Sequence, residues 1–127
     1  MDNIYPYGKY KYSDLSEDLV LKKKPMQLLS EASGYKLKAV ISGHGHEGPR
    51  NCCEWDSKTH TYFLSNWEIF RWNVWKDCGN NPIYPQGGTW PFDRAGWCPG
   101  TKVDEYNFEL TPFVKPGDLI EIDYAIE

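Results

Sequence analysis

The sequence predicts an all-β protein, and within that class an antiparallel β-sandwich. Several segments alternate apolar and polar residues with a period of two, as strands that bury one face do. No segment shows a helical periodicity sustained over several turns. The chain also contains 11 glycines and 9 prolines, which favour turns between strands over helices. Short strands joined by frequent turns are typical of a sandwich.

Length and charge exclude several classes of protein. A chain of 127 residues is the size of one domain, so we assign residues 1–127 to a single domain and residues 1–18 to its lead-in. The 14 basic and 18 acidic side chains give a net charge of −4, which argues against a nucleic-acid partner because such proteins present a basic face. No apolar run approaches the roughly 20 residues of a membrane helix, so no membrane partner is expected.

The first part of the chain predicts only short elements. A proline after three consecutive lysines cannot lie inside a helix, because it lacks the amide donor and clashes with the preceding turn. We predict short strands at residues 19–21 and 26–29, with a single helical turn over residues 13–18 as an alternative. Residues 35–41 then carry apolar side chains at every second position and predict a half-buried strand.

Four more strands are predicted at residues 59–64, 67–75, 104–110 and 119–126. The first two are separated only by Ser65 and Asn66, a spacing that suits a hairpin turn. The last strand is the clearest, because isoleucines and a tyrosine alternate with acidic residues after a Pro-Gly-Asp turn.

Residues 76–103 fit no strand pattern. They hold five glycines and four prolines, yet their aromatic side chains call for burial. The four cysteines of the chain match no zinc-binding pattern, and their spacing alone leaves three disulfide pairings open. A bridge between Cys78 and Cys98 would hold this loop in place.

The three histidines, His44, His46 and His60, are the first candidates for chemistry. Two histidines separated by one residue on a strand place both rings on one face, which is common among metal ligands. His60 lies on the next predicted strand and could supply a third ligand. Glycines flank the first two histidines, so a simple turn is the alternative interpretation.

Glu54, Trp55 and Asp56 form the second candidate. A carboxylate beside a tryptophan can have its pKa raised by desolvation, which suits general acid or hydrogen-bonding work. The alternative interpretation is that these acidic side chains lie in a loop and are simply solvated.

Arg94 is the third candidate, because aromatic residues precede and follow it in the loop. A guanidinium group in such surroundings can clamp a carboxylate or hydrogen-bond a sugar hydroxyl. Tryptophans in a polar loop, here Trp90 and Trp97, also suit carbohydrate because sugar rings present apolar C–H faces. The structural alternative is an ion pair between Asp93 and Arg94 that holds the loop.

Several motifs, in their order and spacing, resemble the C-terminal domain of the peptide-N-glycosidase F family. They are Ile-Ser-Gly-His-Gly-His at 41–46, Cys-Cys-Glu-Trp at 52–55, Thr-His-Thr at 59–61 and Asp-Arg-Ala-Gly-Trp-Cys-Pro-Gly at 93–100. Order and spacing agree from about residue 35 to 105, and the last run is long and specific. The resemblance implies a jelly-roll β-sandwich, with a second such domain packed alongside it in the whole enzyme.

The resemblance also implies an activity and site residues. The family cleaves, without a metal, the amide between an asparagine side chain and the first N-acetylglucosamine of an N-linked glycan. Its main catalytic aspartate lies in the other, N-terminal domain. Glu54 and Arg94 match a glutamate and an arginine that the C-terminal domain contributes to the active site across the interface between the two domains. Trp55 matches a neighbouring tryptophan, and a loop disulfide matches Cys78 and Cys98.

The sequence departs from the family pattern at several positions. His44 stands where the family has a tryptophan, and Asp56 stands where it has the cysteine that pairs with Cys52, so Cys53 is expected to be an extra thiol. The motif Cys-x-Glu-Trp-Asp also resembles one in the other domain, which would make Asp56 a catalytic residue. The family domain continues beyond the position of Glu127. The sandwich is therefore expected to be incomplete at its C-terminus, with the last strand as an exposed edge unless the N-terminal strands cover it.

We therefore expect a domain of a peptide-N4-(N-acetyl-beta-glucosaminyl)asparagine amidase-like protein that acts on or binds N-linked glycans of glycoproteins. The catalytic candidates are Glu54, Arg94 and Asp56, and the substrate-binding candidates are Trp55, His44, His46, Trp90 and Trp97. No cofactor is expected, and the isolated chain is expected to be inactive as a glycanase. We expect the full-length protein to be secreted or periplasmic, although this chain shows no signal peptide.

Two alternatives belong to other classes of protein. The superfamily includes copper-dependent peptidylglycine hydroxylating monooxygenases, whose His-x-His copper pair resembles His44 and His46, with His60 as a further candidate ligand. Those enzymes also use a methionine, whereas both methionines here, Met1 and Met26, precede the pair. The other alternative is a non-catalytic glycan-binding module that keeps the aromatic loop without the chemistry.

Overall fold

The structure is a computed structural model that describes residues 1–83 and 85–127, and it consists mainly of β-strands. The strands are Lys24–Gln27 (β1), Lys36–Val40 (β2), Lys58–Leu64 (β3), Trp67–Val74 (β4), Glu105–Glu109 (β5) and Leu119–Ile126 (β6). A short helix, Tyr12–Ser16 (α1), precedes them, and single 3-10 turns lie at Pro49–Asn51 and Thr111–Phe113. In the described part of the chain no helix has the length and apolar character needed to cross a membrane. The all-β prediction is confirmed.

The strands form a four-stranded sheet in the order β1-β6-β3-β4 and a two-stranded sheet of β2 and β5. Strand β6 is antiparallel to both of its neighbours, with Ile120 opposite Met26 of β1 and Tyr124 opposite Tyr62 of β3. The expectation that the last strand is an exposed edge is therefore wrong. The alternative is confirmed, since the N-terminal strand β1 occupies that edge and pairs with the backbone of β6.

The elements before residue 35 differ in part from the prediction. The strand predicted at residues 19–21 is wrong, because positive φ angles of 51° at Asp18 and 54° at Leu21 turn the chain there. The alternative helical turn forms, as Tyr12–Ser16. Strand β1 lies two residues earlier than predicted, and Pro25 is tolerated in it because an edge strand has a side that needs no amide donor.

The predicted hairpin of β3 and β4 is confirmed. Its two turn residues, Ser65 and Asn66, have φ angles of 48° and 71°. Positive φ at both positions is what a two-residue type I′ turn requires, and asparagine tolerates it well. Strand β2 likewise follows the predicted alternation, because Leu37 and Ala39 are buried while the residues between and beside them are exposed.

The chain folds into two compact units. The first comprises Met1–Leu37, His60–Trp72 and Asn107–Glu127, and the second comprises Lys38–Thr59 and Asn73–Tyr106.

Aromatic rings from both sheets form the core of the first unit. Phe108 of β5 lies 4.7 Å from Trp72 of β4 and 6.0 Å from Tyr62 of β3, measured between ring centroids. Tyr62 in turn packs against Tyr124 of β6 at 6.1 Å, and Ile122 is fully buried beside it in the same strand. Side chains of the two-stranded sheet thus pack on the face of the four-stranded sheet, which is the arrangement of a β-sandwich.

Small side chains and a disulfide form the core of the second unit. Cys78 and Cys98 are bonded to each other, as predicted, and both are almost completely buried. Val74 and Ala95 are buried with them. By the chain-entropy relation, closing a loop of this length contributes about 3 kcal/mol of stability. The bridge therefore anchors the loop over residues 76–103 at both of its ends.

Candidate active site

Three segments of the second unit, residues 43–45, 53–55 and 94–96, are joined by backbone hydrogen bonds. The Gly43 amide donates to the Ala95 carbonyl over 3.0 Å, and the Ala95 amide donates to the Glu54 carbonyl over 2.9 Å. The Glu54 amide donates to the Gly45 carbonyl, also over 2.9 Å. This ladder brings Glu54 next to Arg94, although 40 residues separate them along the chain.

Two glycines allow these segments to approach so closely. A Cβ atom at Gly43 would lie 1.9 Å from the carbonyl oxygen of Cys53, and one at Gly96 would lie 2.4 Å from the carbonyl oxygen of Ile41. Gly96 also has a φ of +77°, a conformation that residues with side chains rarely adopt. Gly43 is therefore needed because backbone segments pack closely around it, and a simple turn around the histidines does not account for it.

Arg94 is a buried cation with a partner for each part of its guanidinium group. Its side chain is only 2% exposed, and its Nη1 donates to Glu54 Oε1 over 3.1 Å. Its Nε donates to the Phe92 carbonyl over 3.3 Å, and its Nη2 donates to the Thr89 carbonyl. Burial of a charge is tolerable only with such pairing. The alternative prediction of an ion pair between Asp93 and Arg94 is wrong. Arg94 pairs with Glu54, and the Asp93 carboxylate accepts a hydrogen bond from the Cys78 amide.

Aromatic rings enclose the Arg94 guanidinium from two directions. Its Cζ lies 4.4 Å from the centroid of the Trp55 ring and 4.7 Å from that of Trp97, within the range of cation–π attraction. The rings continue outward, since His44 stacks on Trp97 at 5.0 Å and Phe92 contacts Trp55 edge-on at 6.4 Å. We call these five side chains the Arg94 stack.

The outer members of the Arg94 stack reach the surface. His44 is exposed, and Phe92 is 58% exposed. The Glu54 side chain is 16% exposed, so it pairs with the buried guanidinium while remaining partly open to solvent. The site therefore combines a fixed buried cation, an accessible carboxylate and apolar ring faces within one short stretch of surface.

Asp56 has a different environment from Glu54. Its carboxylate is nearly buried and pairs with Arg50 Nη2 and Lys58 Nζ, each at 2.7 Å. Burial alone would raise the pKa of Asp56, but the hydrogen bonds and charges of Lys58 and Arg50 outweigh it and hold the pKa below its ordinary value. The structure thus places Asp56 in an ionised state, paired with two cations. A catalytic role for Asp56 stays a prediction.

The histidines do not form the three-ligand metal group that was considered. His44 shares a 2.9 Å hydrogen bond with Ser42 through Nε2, and His46 is exposed. His60 lies in the core of the first unit, where its Nδ1 is 2.7 Å from the Tyr124 hydroxyl and its ring stacks on Trp72. Among the residues described, no group of three or more His, Cys, Asp or Glu side chains is arranged to hold a metal. The assignment of His60 as a third ligand is wrong.

Two further residues differ from the sequence-based expectation. Cys53 is not an extra thiol, because it is bonded to Cys52, and none of the four cysteines, all of which the structure describes, is free. Phe92 and Thr89 were not among the predicted site residues, yet both contact the Arg94 stack directly. Phe92 could have been predicted, because it is an aromatic residue two positions before Arg94. Thr89 could not, because it contacts Arg94 through its backbone carbonyl, which any residue possesses. Trp90 is half-buried, and its role stays a prediction.

Comparison with known proteins gives a consistent family likeness. The family described as "Peptide-N-glycosidase F, C terminal" matches residues 11–125. The peptide-N(4)-(N-acetyl-beta-D-glucosaminyl)asparagine amidase F of Elizabethkingia miricola is 39% identical over 133 aligned positions, which cover 96% of this chain and 34% of that protein.

Solved structures give the same likeness in three dimensions. The structure of PNGase F, a glycosylasparaginase from Flavobacterium meningosepticum, superposes with a TM-score of 0.77 at 34% identity, over 97% of this chain and 39% of that one. A crystal structure of a peptide-N(4)-(N-acetyl-beta-D-glucosaminyl)asparagine amidase at 2.2 Å gives the same TM-score and identity over 84% of this chain and 36% of that one. The chain thus spans little more than a third of the length of the relatives it matches.

Proposed function

Because this chain belongs to the peptide-N-glycosidase F C-terminal family, we propose that it is a domain of an amidase-like protein that acts on N-linked glycans of glycoproteins. The reaction would be hydrolysis of the amide between an asparagine side chain and the first N-acetylglucosamine. The observation that carries the proposal is the pairing of accessible Glu54 with buried Arg94 inside a set of aromatic rings.

Arg94 supplies a positive charge that is already fixed in place. Its guanidinium group is held by two carbonyls, one carboxylate and two ring faces, so it does not need to reorganise when charge develops on a nearby carbonyl oxygen. Fixed charges of this kind stabilise transition states more effectively than mobile ones. In the proposed reaction Arg94 orients the amide carbonyl or stabilises its developing negative charge.

Glu54 and the rings supply the contacts to substrate and water. A partly exposed carboxylate can accept hydrogen bonds from a water molecule or from sugar hydroxyls, and it can act in proton transfer when it lies within hydrogen-bond reach. The exposed ring of Phe92 and the neighbouring ring of Trp55 offer faces and edges that suit the C–H faces of sugars. His44 adds a polar ring next to Trp97.

The proposal assigns only part of the chemistry to this chain. The carboxylate that activates the attacking water is proposed to come from a second jelly-roll domain, so the chain alone is expected to be inactive. No metal or other cofactor is proposed, because carboxylate-assisted attack of water on an amide does not require one. We also propose a secreted or periplasmic location for the full-length protein, because disulfides persist in oxidising compartments.

The proposal is tested with a chimera. The corresponding third of the Elizabethkingia miricola amidase is replaced by this chain, and release of N-linked glycans from a denatured glycoprotein is measured for the chimera and for the chain alone. The expected result is release by the chimera only. A folded chimera that releases no glycan contradicts the proposal, and glycan binding by that chimera without release would favour the non-catalytic module. Release by the chain alone would show that no second domain is needed.

A further inference from the structure

The two disulfides of the chain differ in accessibility. Cys78 and Cys98 are 0% and 2% exposed, so a reductant in solution cannot reach their sulfurs without local unfolding. Cys52 and Cys53 are bonded to each other and are both partly exposed. Because thiol–disulfide exchange requires direct attack on a sulfur atom, the adjacent pair is the more accessible of the two bonds to a small reductant.

The two disulfides also differ in what they stabilise. The Cys78–Cys98 bond closes a long loop, which restricts the unfolded chain and stabilises the fold. The Cys52–Cys53 bond joins neighbouring residues and closes no loop between distant parts of the chain. Its opening removes little of the loop-closure stabilisation. The protein is therefore expected to stay folded when this bond alone is reduced.

The adjacent pair is connected to the Arg94 stack through the backbone. The Cys53 amide donates to the His44 carbonyl over 3.3 Å, and the next amide, that of Glu54, donates to the Gly45 carbonyl. The Trp55 amide donates to the Asn51 carbonyl over 3.3 Å, spanning the pair. The pair is thus adjacent in the backbone to Glu54 and Trp55, which both contact Arg94.

From these observations we propose that Cys52 and Cys53 form a thiol–disulfide exchange site that takes small dithiol reductants and whose redox state alters the environment of Trp55. In the exchange, a reductant thiolate attacks one cysteine sulfur, the bond between Cys52 and Cys53 breaks, and a mixed disulfide forms. The second thiol of the reductant then displaces the protein sulfur and closes a cyclic disulfide. The reductant loses two electrons and two protons, and both cysteines become thiols. The exchange reaction itself does not depend on the proposed amidase function.

The first test is selective labelling of the full chain without denaturant. The protein is treated with increasing dithiothreitol, thiols are blocked with N-ethylmaleimide, and non-reducing peptide maps are read by mass spectrometry. The expected result is an adduct on both Cys52 and Cys53 while the peptides of Cys78 and Cys98 stay linked. Labelling of all four cysteines at the same dithiothreitol concentration overturns the proposal, as does labelling of Cys52 and Cys53 before any reductant is added.

The second test measures whether reduction of Cys52 and Cys53 changes the environment of Trp55. Tryptophan emission is recorded during the same titration, and a disulfide near the indole ring is expected to quench it, so emission rises on reduction. The Cys52→Ser/Cys53→Ser variant should not respond to dithiothreitol, and Trp55→Phe should lose most of the response. A full response in Trp55→Phe, or labelling of the pair without any change in the wild type, overturns the coupling to the stack.

Discussion

Glu54 and Arg94 are the residues on which the candidate site depends, because each satisfies the charge of the other. Arg94 is buried with three kinds of partner, while Glu54 keeps access to the surface. A change at Arg94 would leave carbonyl groups and a carboxylate unpaired inside the protein, and so would disturb folding together with function. Glu54 is the better residue for separating the two effects.

Replacing Glu54 with glutamine is predicted to lower catalysis while largely preserving the site. Glutamine has nearly the same size and still accepts a hydrogen bond from Arg94, but it cannot carry a charge or transfer a proton. In the chimera described above, Glu54→Gln should lower turnover by about 10²–10⁴-fold. The matched control is Glu68→Gln, which makes the same chemical change at an exposed ion pair with Arg71. Equal turnover for Glu54→Gln and the control would reassign Glu54 to a structural role.

His60 makes stability depend on pH. Burial lowers the pKa of His60 from 6.5 to about 4, so the unfolded chain takes up this proton at a higher pH than the folded protein does. The stability from the neutral ring is therefore fully present above about pH 6.5 and is lost as the pH falls towards 4. A difference of this size corresponds to at most about 3 kcal/mol.

The measurement is the free energy of unfolding in urea at about pH 7 and about pH 4.5. The fall in stability should be larger for the wild type than for His60→Gln by about 2 kcal/mol. The control variant, His46→Gln, changes an exposed histidine and should follow the wild type. An equal fall for the wild type and His60→Gln would show that the neutral ring is not the cause.

At the scale of elements, the site exists because backbone segments approach without side chains between them. Gly43→Ala is predicted to destabilise the protein by about 1–3 kcal/mol, because its new Cβ would meet the Cys53 carbonyl oxygen and force the backbone to shift. The control is Gly87→Ala, where nothing lies within 4 Å of the added atom and φ is not positive. Urea unfolding of both variants checks this, and equal stabilities would contradict the packing argument.

Most elements were predictable because they depend on neighbours in sequence. Strands β2, β5 and β6 bury or cover alternate side chains, and that alternation is visible in consecutive residues of the sequence. The strand predicted at residues 19–21 does not form, because Asp18 and Leu21 adopt positive φ angles. The alternation of apolar and polar residues does not reveal those angles. The place of β6 inside its sheet was not predictable by alternation, because β1, its partner, lies more than ninety residues earlier in the chain.

For the molecule as a whole, we predict that no metal is tightly held. His44 and His46 are neighbours in an exposed, glycine-rich segment, and His60 is engaged with Tyr124 in the first unit. After dialysis against a chelator, titration calorimetry with copper should show only weak binding. A stoichiometric copper site with a Kd below about 1 μM, together with ascorbate-dependent oxygen consumption, would instead support the monooxygenase alternative.

The sequence by itself determined the all-β class, the positions of most strands and, through its motifs, the family and the residues Glu54 and Arg94. Only the tertiary structure decided that Arg94 lies between Trp55 and Trp97, that His60 belongs to a buried pair with Tyr124, and that β6 is an inner strand. Strand patterns arise from adjacent residues, so they can be read locally. Except for Trp97, which lies three residues from Arg94, the partners in these contacts lie tens of residues apart, and which of them pair is set by the free energy of packing the whole chain.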